Sequence, residues 1–124
     1  MDNKPKKEMT NRERRDAGLA YISDDGIFEE QLVCRKILQR LNFMDRSNFA
    51  EISKVVKELF GKSEGAFVNP PFYCDYGKHI EVGKNFFANY NCTLLDVAKI
   101  KIGDNCQLAP NVACLLYTSP SPRD

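Results

Sequence analysis

The sequence carries almost no net charge: 18 Lys and Arg against 17 Asp and Glu leave +1. That balance gives no electrostatic reason to bind nucleic acid or an anionic membrane. No apolar run approaches the roughly 20 residues of a membrane span, and no signal peptide is visible. The five cysteines, at 34, 74, 92, 106 and 114, contain no Cys-x-x-Cys pair. An odd count without metal-ligand spacing argues against a disulfide framework or a zinc site. It reads instead as reduced thiols in a cytoplasmic protein that needs no metal. Histidine is scarcer still, with His79 alone.

What is present falls into two halves. The 124 residues are 43% apolar and 28% charged, ordinary values for a soluble globular protein. The N-terminus is locally basic (Lys4, Lys6, Lys7, Arg12, Arg14, Arg15), but Glu8, Glu13 and Asp16 are interspersed. This mixture predicts a solvated helix face. Residues 1–61 read as helical. Thr10 and Glu13 have capping-box spacing. A second helix is expected after the turn Ser23-Asp24-Asp25-Gly26, with Ile27, Phe28, Leu32, Cys34, Ile37, Leu38 and Leu41 as its apolar stripe. A third starts near Ser47, placing Phe49, Ile52, Val56, Leu59 and Phe60 inward and Gly61 as a left-handed stop.

After Gly65 the period changes. "VGKN" at 82–85 recurs as "IGDN" at 102–105. Written in sixes, the chain reads VGKNFF, ANYNCT, LLDVAK, then two extra residues, then IGDNCQ and LAPNVA. The first positions are Val82, Ala88, Leu94, Ile102 and Leu108; the fifth are Phe86, Cys92, Ala98, Cys106 and Val112. All are apolar. A period of six fits neither an α-helix nor a simple alternating strand. It fits a triangular solenoid in which each six supplies one short strand and one corner. Gly and Asn at the corners tolerate left-handed backbone. Five hexads amount to fewer than two turns.

Residues 70–113, "PPFYCDYGKHIEVGKNFFANYNCTLLDVAKIKIGDNCQLAPNVA", closely resemble the maltose and galactoside O-acetyltransferases. "AGLAYIS" at 17–23 resembles part of the helical domain that precedes the β-helix in that family. The resemblance implies an α+β fold: an N-terminal helical cap (1–65), then the start of a left-handed parallel β-helix of hexapeptide repeats (66–113). It implies acetyl transfer from acetyl-CoA, as co-substrate, to a hydroxyl of a sugar acceptor such as maltose or glucose. It also implies a homotrimer when full length, with active sites between subunits and no part for nucleic acid, membrane or metal.

Carried over by position, the resemblance places Asp75, Phe87, Asn89 and Asp96 in the sugar site. Asn89 matches the asparagine beside the catalytic histidine. Phe87 stands where galactoside-type enzymes have tyrosine, and Val97 where they have a second acid, so both look like the maltose type. Ser23 stands near an acceptor-contacting aspartate of the galactoside type, with Asp24 as its possible replacement. The residues alone leave plainer readings open: corner positions for Asn89, an exposed aromatic for Phe87, and turn caps for Asp75 and Asp96. Tyr76 reads as packing. No residue is matched to CoA. The runner-up for the whole chain is a non-catalytic β-helix scaffold. A β-helix metalloenzyme needs several histidines, where one is present.

In that family the catalytic histidine lies in a strand that follows "APNV", so the resemblance implies a histidine about six residues beyond Ala113. His79 matches a variable position and is not expected to be the base. Residues 114–124, "CLLYTSPSPRD", resemble no part of the family. They match, without a mismatch, an in-frame translation of a common transposase sequencing adapter. The expectation is a non-native tail fused to a gene cut short before its histidine, leaving an inactive N-terminal fragment.

Overall fold

The computed structural model describes residues 8–116. Three helices come first. In α1 (Asn11–Asp16) the capping box forms as read: Glu13 N–H donates to Thr10 Oγ1 at 3.0 Å and Thr10 N–H to Glu13 Oε1 at 2.9 Å. Lys4, Lys6 and Lys7 lie outside the described residues. The second helix, α2 (Asp25–Asn42), begins earlier than expected. Asp24 is its N-cap and accepts from Ile27 N–H at 3.1 Å. The apparent turn is therefore the helix's first turn, because a carboxylate there satisfies a free N–H and opposes the positive end of the helix dipole. Helix α3 (Phe49–Leu59) follows, capped by Asn48.

The buried stripes are narrower than the sequence implied. Ile27, Cys34, Ile37, Leu38 and Leu41 of α2 are buried, whereas Phe28 is 55% exposed and Leu32 also faces out. Phe28 lies about 100° round the helix from Ile27, beyond the face that the neighbours cover. In α3, Val55 joins Ile52, Val56 and Leu59 inside, and Phe49 is 64% exposed in the first turn. Gly61 is not a left-handed stop: only Gly18, Gly65 and Gly77 among the described glycines have positive φ. A Cβ at Gly61 would stand 2.2 Å from the Lys78 carbonyl, so close approach to that loop requires glycine.

Among the described residues nine short strands follow: β1 (Lys62–Glu64), β2 (Phe67–Val68), β3 (Phe72–Cys74), β4 (Ile80–Lys84), β5 (Phe87–Ala88), β6 (Cys92–Asp96), β7 (Ile100–Ile102), β8 (Gln107–Leu108) and β9 (Ala113–Leu116). They form three parallel sheets, ordered β1-β4-β7, β2-β5-β8 and β3-β6-β9. Each coil contributes one strand to each face of a prism. The register, Phe67 beside Phe87 beside Gln107, repeats every three hexads plus two residues.

This is a stack of three coils, one more than the hexad pattern revealed. The first coil was hidden because its inward positions include buried Ser63, polar where later coils carry Val82 and Ile102. A bulge between Lys62 and Glu64 adds to the irregularity. At the other end, β9 pairs with β6 through Leu116, and Cys114 packs half-buried on the core. The first three residues of the adapter-like stretch thus continue the strand; the rest of it, 117–124, lies outside the described residues.

The corners bear out the repeat. Asn85, Asn91, Asn105 and Asn111, each the fourth residue of a hexad, have φ between 61° and 66°. Asparagine is among the few non-glycine residues that tolerate that conformation. Asn85 Nδ2 also donates to Asn105 Oδ1 at 3.0 Å, tying one corner to the next. Gly83 serves another purpose: a Cβ there would lie 2.1 Å from Asp104 Oδ1, which accepts from Lys84 N–H at 2.8 Å.

One core runs from helices into prism. Phe60 sits at the joint with its ring centroid 5.7 Å from that of Phe72 and 6.0 Å from that of Phe86. The cap closes the prism's upper end. Among the described residues, no helix is long and apolar enough to cross a membrane.

Candidate functional site

The four residues carried over by resemblance lie at two different corners. Asp75 follows β3 and Asp96 ends β6, so both stand where the third sheet turns back toward the first. Phe87 lies on β5 and Asn89 just after it, where the second sheet turns into the third.

The first corner is built around Asp96. Its side chain is fully buried. Oδ1 accepts from the backbone N–H of Asp75 at 2.9 Å and of Tyr76 at 3.0 Å. Oδ2 is buried with no partner among the described residues. The Asp96 carbonyl receives His79 Nδ1 at 2.7 Å. A carbonyl can only accept, so Nδ1 carries the hydrogen and Nε2 keeps its lone pair when the ring is neutral. One residue thereby fixes both ends of the loop 75–79.

Asp75 is half-buried. Burial, then the Asp96 charge, push its carboxyl above the usual range, while Arg35 and His79 pull the other way. Tyr76 is buried between the His79 ring, 4.6 Å away and stacked, and the Arg15 guanidinium, 4.7 Å from the ring centre. Gln31 Nε2 donates to its hydroxyl at 3.2 Å.

Arg15 corrects the reading of a solvated basic face, since it is only 2% exposed. It pairs with Asp16 at 2.9 Å and Glu30 at 2.8 Å. Burial alone lowers a guanidinium's affinity for its proton, but hydrogen bonds to Asp16, Glu30 and Tyr76 outweigh it and the net shift is upward. Charge composition gives no sign of such a residue, because only the fold brings Glu30 and Tyr76 to it.

At the second corner, Asn89 Oδ1 accepts from Tyr90 N–H at 2.8 Å and from Asn69 Nδ2 at 3.4 Å. Phe87 lies parallel to Phe67, with centroids 6.2 Å apart and planes 5° apart. Phe49 meets Phe67 edge-on at 5.7 Å. Twenty-residue stacking produces this aromatic column, and α3 ends it. No described contact joins the second corner to the first. His79, though beside Asp75 and Asp96, is engaged by Tyr76 and the Asp96 carbonyl. Among the described residues, no group of three or more His, Cys, Asp or Glu is placed to hold a metal.

No family model matches the chain. Individual proteins do. The galactoside O-acetyltransferase of Escherichia coli K12 is 37% identical over 97 residues, spanning 77% of this chain and 48% of that protein. The crystal structure of a maltose O-acetyltransferase from Clostridium difficile 630 matches with a TM-score of 0.82 and 39% identity, covering 85% of this chain and 57% of that one. A galactoside acetyltransferase solved with coenzyme A matches with a TM-score of 0.81 and 35% identity, over 86% of this chain and 54% of that one. The chain therefore spans about half the length of these relatives. A helical cap on a parallel β-helix of hexapeptide repeats is the class of the hexapeptide-repeat acetyltransferases. Within it, the chain belongs to the maltose and galactoside O-acetyltransferase family.

Proposed function

We propose that the whole protein is an acetyl-CoA-dependent sugar O-acetyltransferase acting in the cytoplasm on an acceptor such as maltose or glucose. The observation that carries this is the cap and coils matching a coenzyme A-bound galactoside acetyltransferase at 35% identity. The acceptor hydroxyl attacks the thioester carbonyl, a histidine takes its proton, and the collapsing tetrahedral intermediate releases the CoA thiol. The products are the O-acetyl sugar and free CoA. The family resemblance places the base in hexads beyond Ala113; His79, the sequence's only histidine, matches no such position, and its Nδ1 and ring face are already engaged by the Asp96 carbonyl and Tyr76.

The separation of the two corners supports a trimer. A site using Asp75 from one subunit, held by the buried Asp96 behind it, together with Phe87 and Asn89 from its neighbour needs no single chain to bring them together. Phe87 and Val97 favour maltose-like acceptors over galactosides. Residues 1–124 span about half the length of the relatives and are expected to release no CoA by themselves.

The test is to read the source gene past the "APNV" codons, express its complete product, and measure sugar-dependent CoA release. A histidine within about ten residues of Ala113 is expected from the family resemblance. Activity should favour maltose or glucose, and Asn89→Ala should lower kcat/KM at least about tenfold. A gene lacking that histidine, or CoA release by residues 1–124 alone, overturns the proposal.

A further inference from the structure

Cys34 and Cys74 meet across the seam between cap and β-helix. Cys34 lies on the inner face of α2 and is 1% exposed; Cys74 ends β3 and is half-buried. Their sulfurs are 3.5 Å apart although the residues are 40 apart in sequence. The Cys34 sulfur also lies 3.7 Å from the Cys74 carbonyl. Asn42, in the last turn of α2, holds this seam in register. Its Nδ2 donates to the Phe72 carbonyl at 3.0 Å, and its Oδ1 accepts from Phe72 N–H at 2.9 Å. A cavity of about 250 Å³, lined by Gln31, Arg35, Leu38, Tyr73, Cys74 and Asp75, reaches Cys74.

We propose that Cys34 and Cys74 are a redox modification site, at which a hydroperoxide closes a reversible disulfide that bolts α2 to β3. Hydrogen peroxide, small enough for the cavity, oxidises the Cys74 thiol to a sulfenic acid and leaves as water. The Cys34 sulfur then attacks the Cys74 sulfur and the sulfenic oxygen departs as a second water. Two thiols and one hydrogen peroxide thus give one disulfide and two waters. The hydrogen bond with Cys34, then burial, hold the Cys74 thiol far above its ordinary pKa. Since the thiolate is the reactive form, closure requires excess peroxide rather than trace oxidant.

Closure draws the sulfurs from 3.5 Å to about 2.05 Å. Asp75 is the next residue, and its N–H donates to Asp96, so the movement reaches the first corner. Its effect on acceptor binding rests on the proposed sugar site; the bridge itself does not.

The experiment needs no enzymatic activity, so its failure is separable from failure of the transferase reading. The 124-residue chain is treated with hydrogen peroxide, denatured in iodoacetamide, digested with trypsin and analysed by mass spectrometry. The expected product joins peptides 16–35 and 63–78 with loss of two hydrogens. Free thiols fall from five to three, dithiothreitol restores them, and the thermal midpoint rises by several degrees on closure. Cys74→Ser abolishes the link and the shift. Cys34→Ala must do the same, which serves if the first variant folds poorly. Recovery of Cys74 as sulfinic acid without a link, or its pairing with Cys106 or Cys114, overturns the proposal, as does full alkylation of both cysteines.

Discussion

Phe60→Ala tests whether cap and prism form one cooperative unit. Phe60 is 2% exposed and contacts Phe72 from β3 and Phe86 at the next coil's corner. Truncation removes the ring's burial and leaves a cavity at the joint, where α3 on one side and strands on the other resist collapse. Core Phe→Ala changes cost about 3–5 kcal/mol. The two ring contacts, tilted with Phe72 and edge-on with Phe86 and each worth about 0.5–1.5 kcal/mol beyond burial, put this site in the upper part of that range. Against a domain stability of about 5–15 kcal/mol, that is a large fraction of the total. The assay is urea unfolding followed by far-UV circular dichroism for the helices and by tyrosine fluorescence, with Tyr73 and Tyr76 reporting the first coil. The single wild-type transition should split, with the fluorescence change preceding the loss of helix, because the upper end of the prism is opened. Phe60→Leu should restore most of the midpoint. A Phe60→Ala protein within about 1 kcal/mol of wild type, with coincident transitions, would refute the idea that this ring joins the two halves.

Two further outcomes follow from the corners. Gly83→Ala places a methyl 2.1 Å from Asp104 Oδ1 and 2.8 Å from its backbone nitrogen, so stability should fall by about 1–3 kcal/mol in denaturant titrations. Because backbone must move as well as side chain, Asp104→Ala should recover only part of that loss; complete recovery would contradict the packing described. Asp75 has a carboxyl pKa raised by burial and by Asp96, so the folded chain holds that proton more tightly than the unfolded chain. Its favourable contribution is full below the ordinary carboxylate pKa, about 3.9, and is lost as pH rises through the higher folded value. Asp75→Asn lacks this slope. Wild type minus variant stability, measured by urea midpoints across that window, should decline with rising pH; a flat or rising difference would reject the assigned environment.

Much of this protein was legible in the sequence because local rules govern it. Thr10 and Glu13 formed the capping box their spacing demanded. The first and fifth hexad positions turned inward except Ala98, which precedes the two extra residues and lines a surface pocket, and the fourth-position asparagines took the left-handed corner conformation, because a coil of fixed length returns each position to the same environment. The motif resemblance reached the family for the same reason: it is carried by consecutive residues.

What depended on distant neighbours was not legible. Ser63 hid the first coil, since polarity at one inward position erased the pattern. Gly61 and Gly83 look alike as letters, yet each is required by backbone or side chain from another part of the chain, the Lys78 carbonyl and Asp104 respectively. Arg15 read as solvated until Glu30 and Tyr76 were placed against it. The candidate site divided in the same way. Asp75, Phe87, Asn89 and Asp96 were chosen by resemblance, but only the coil register assigns them to separate corners. Only tertiary packing buries Asp96 as the support of the 75–79 loop and brings the sulfurs of Cys34 and Cys74 to 3.5 Å. Sequence fixes periodicity and local conformation through short-range sterics and capping; burial and charge pairing arise from residues made neighbours by the stacking of coils and the docking of the cap, distances that no local pattern encodes.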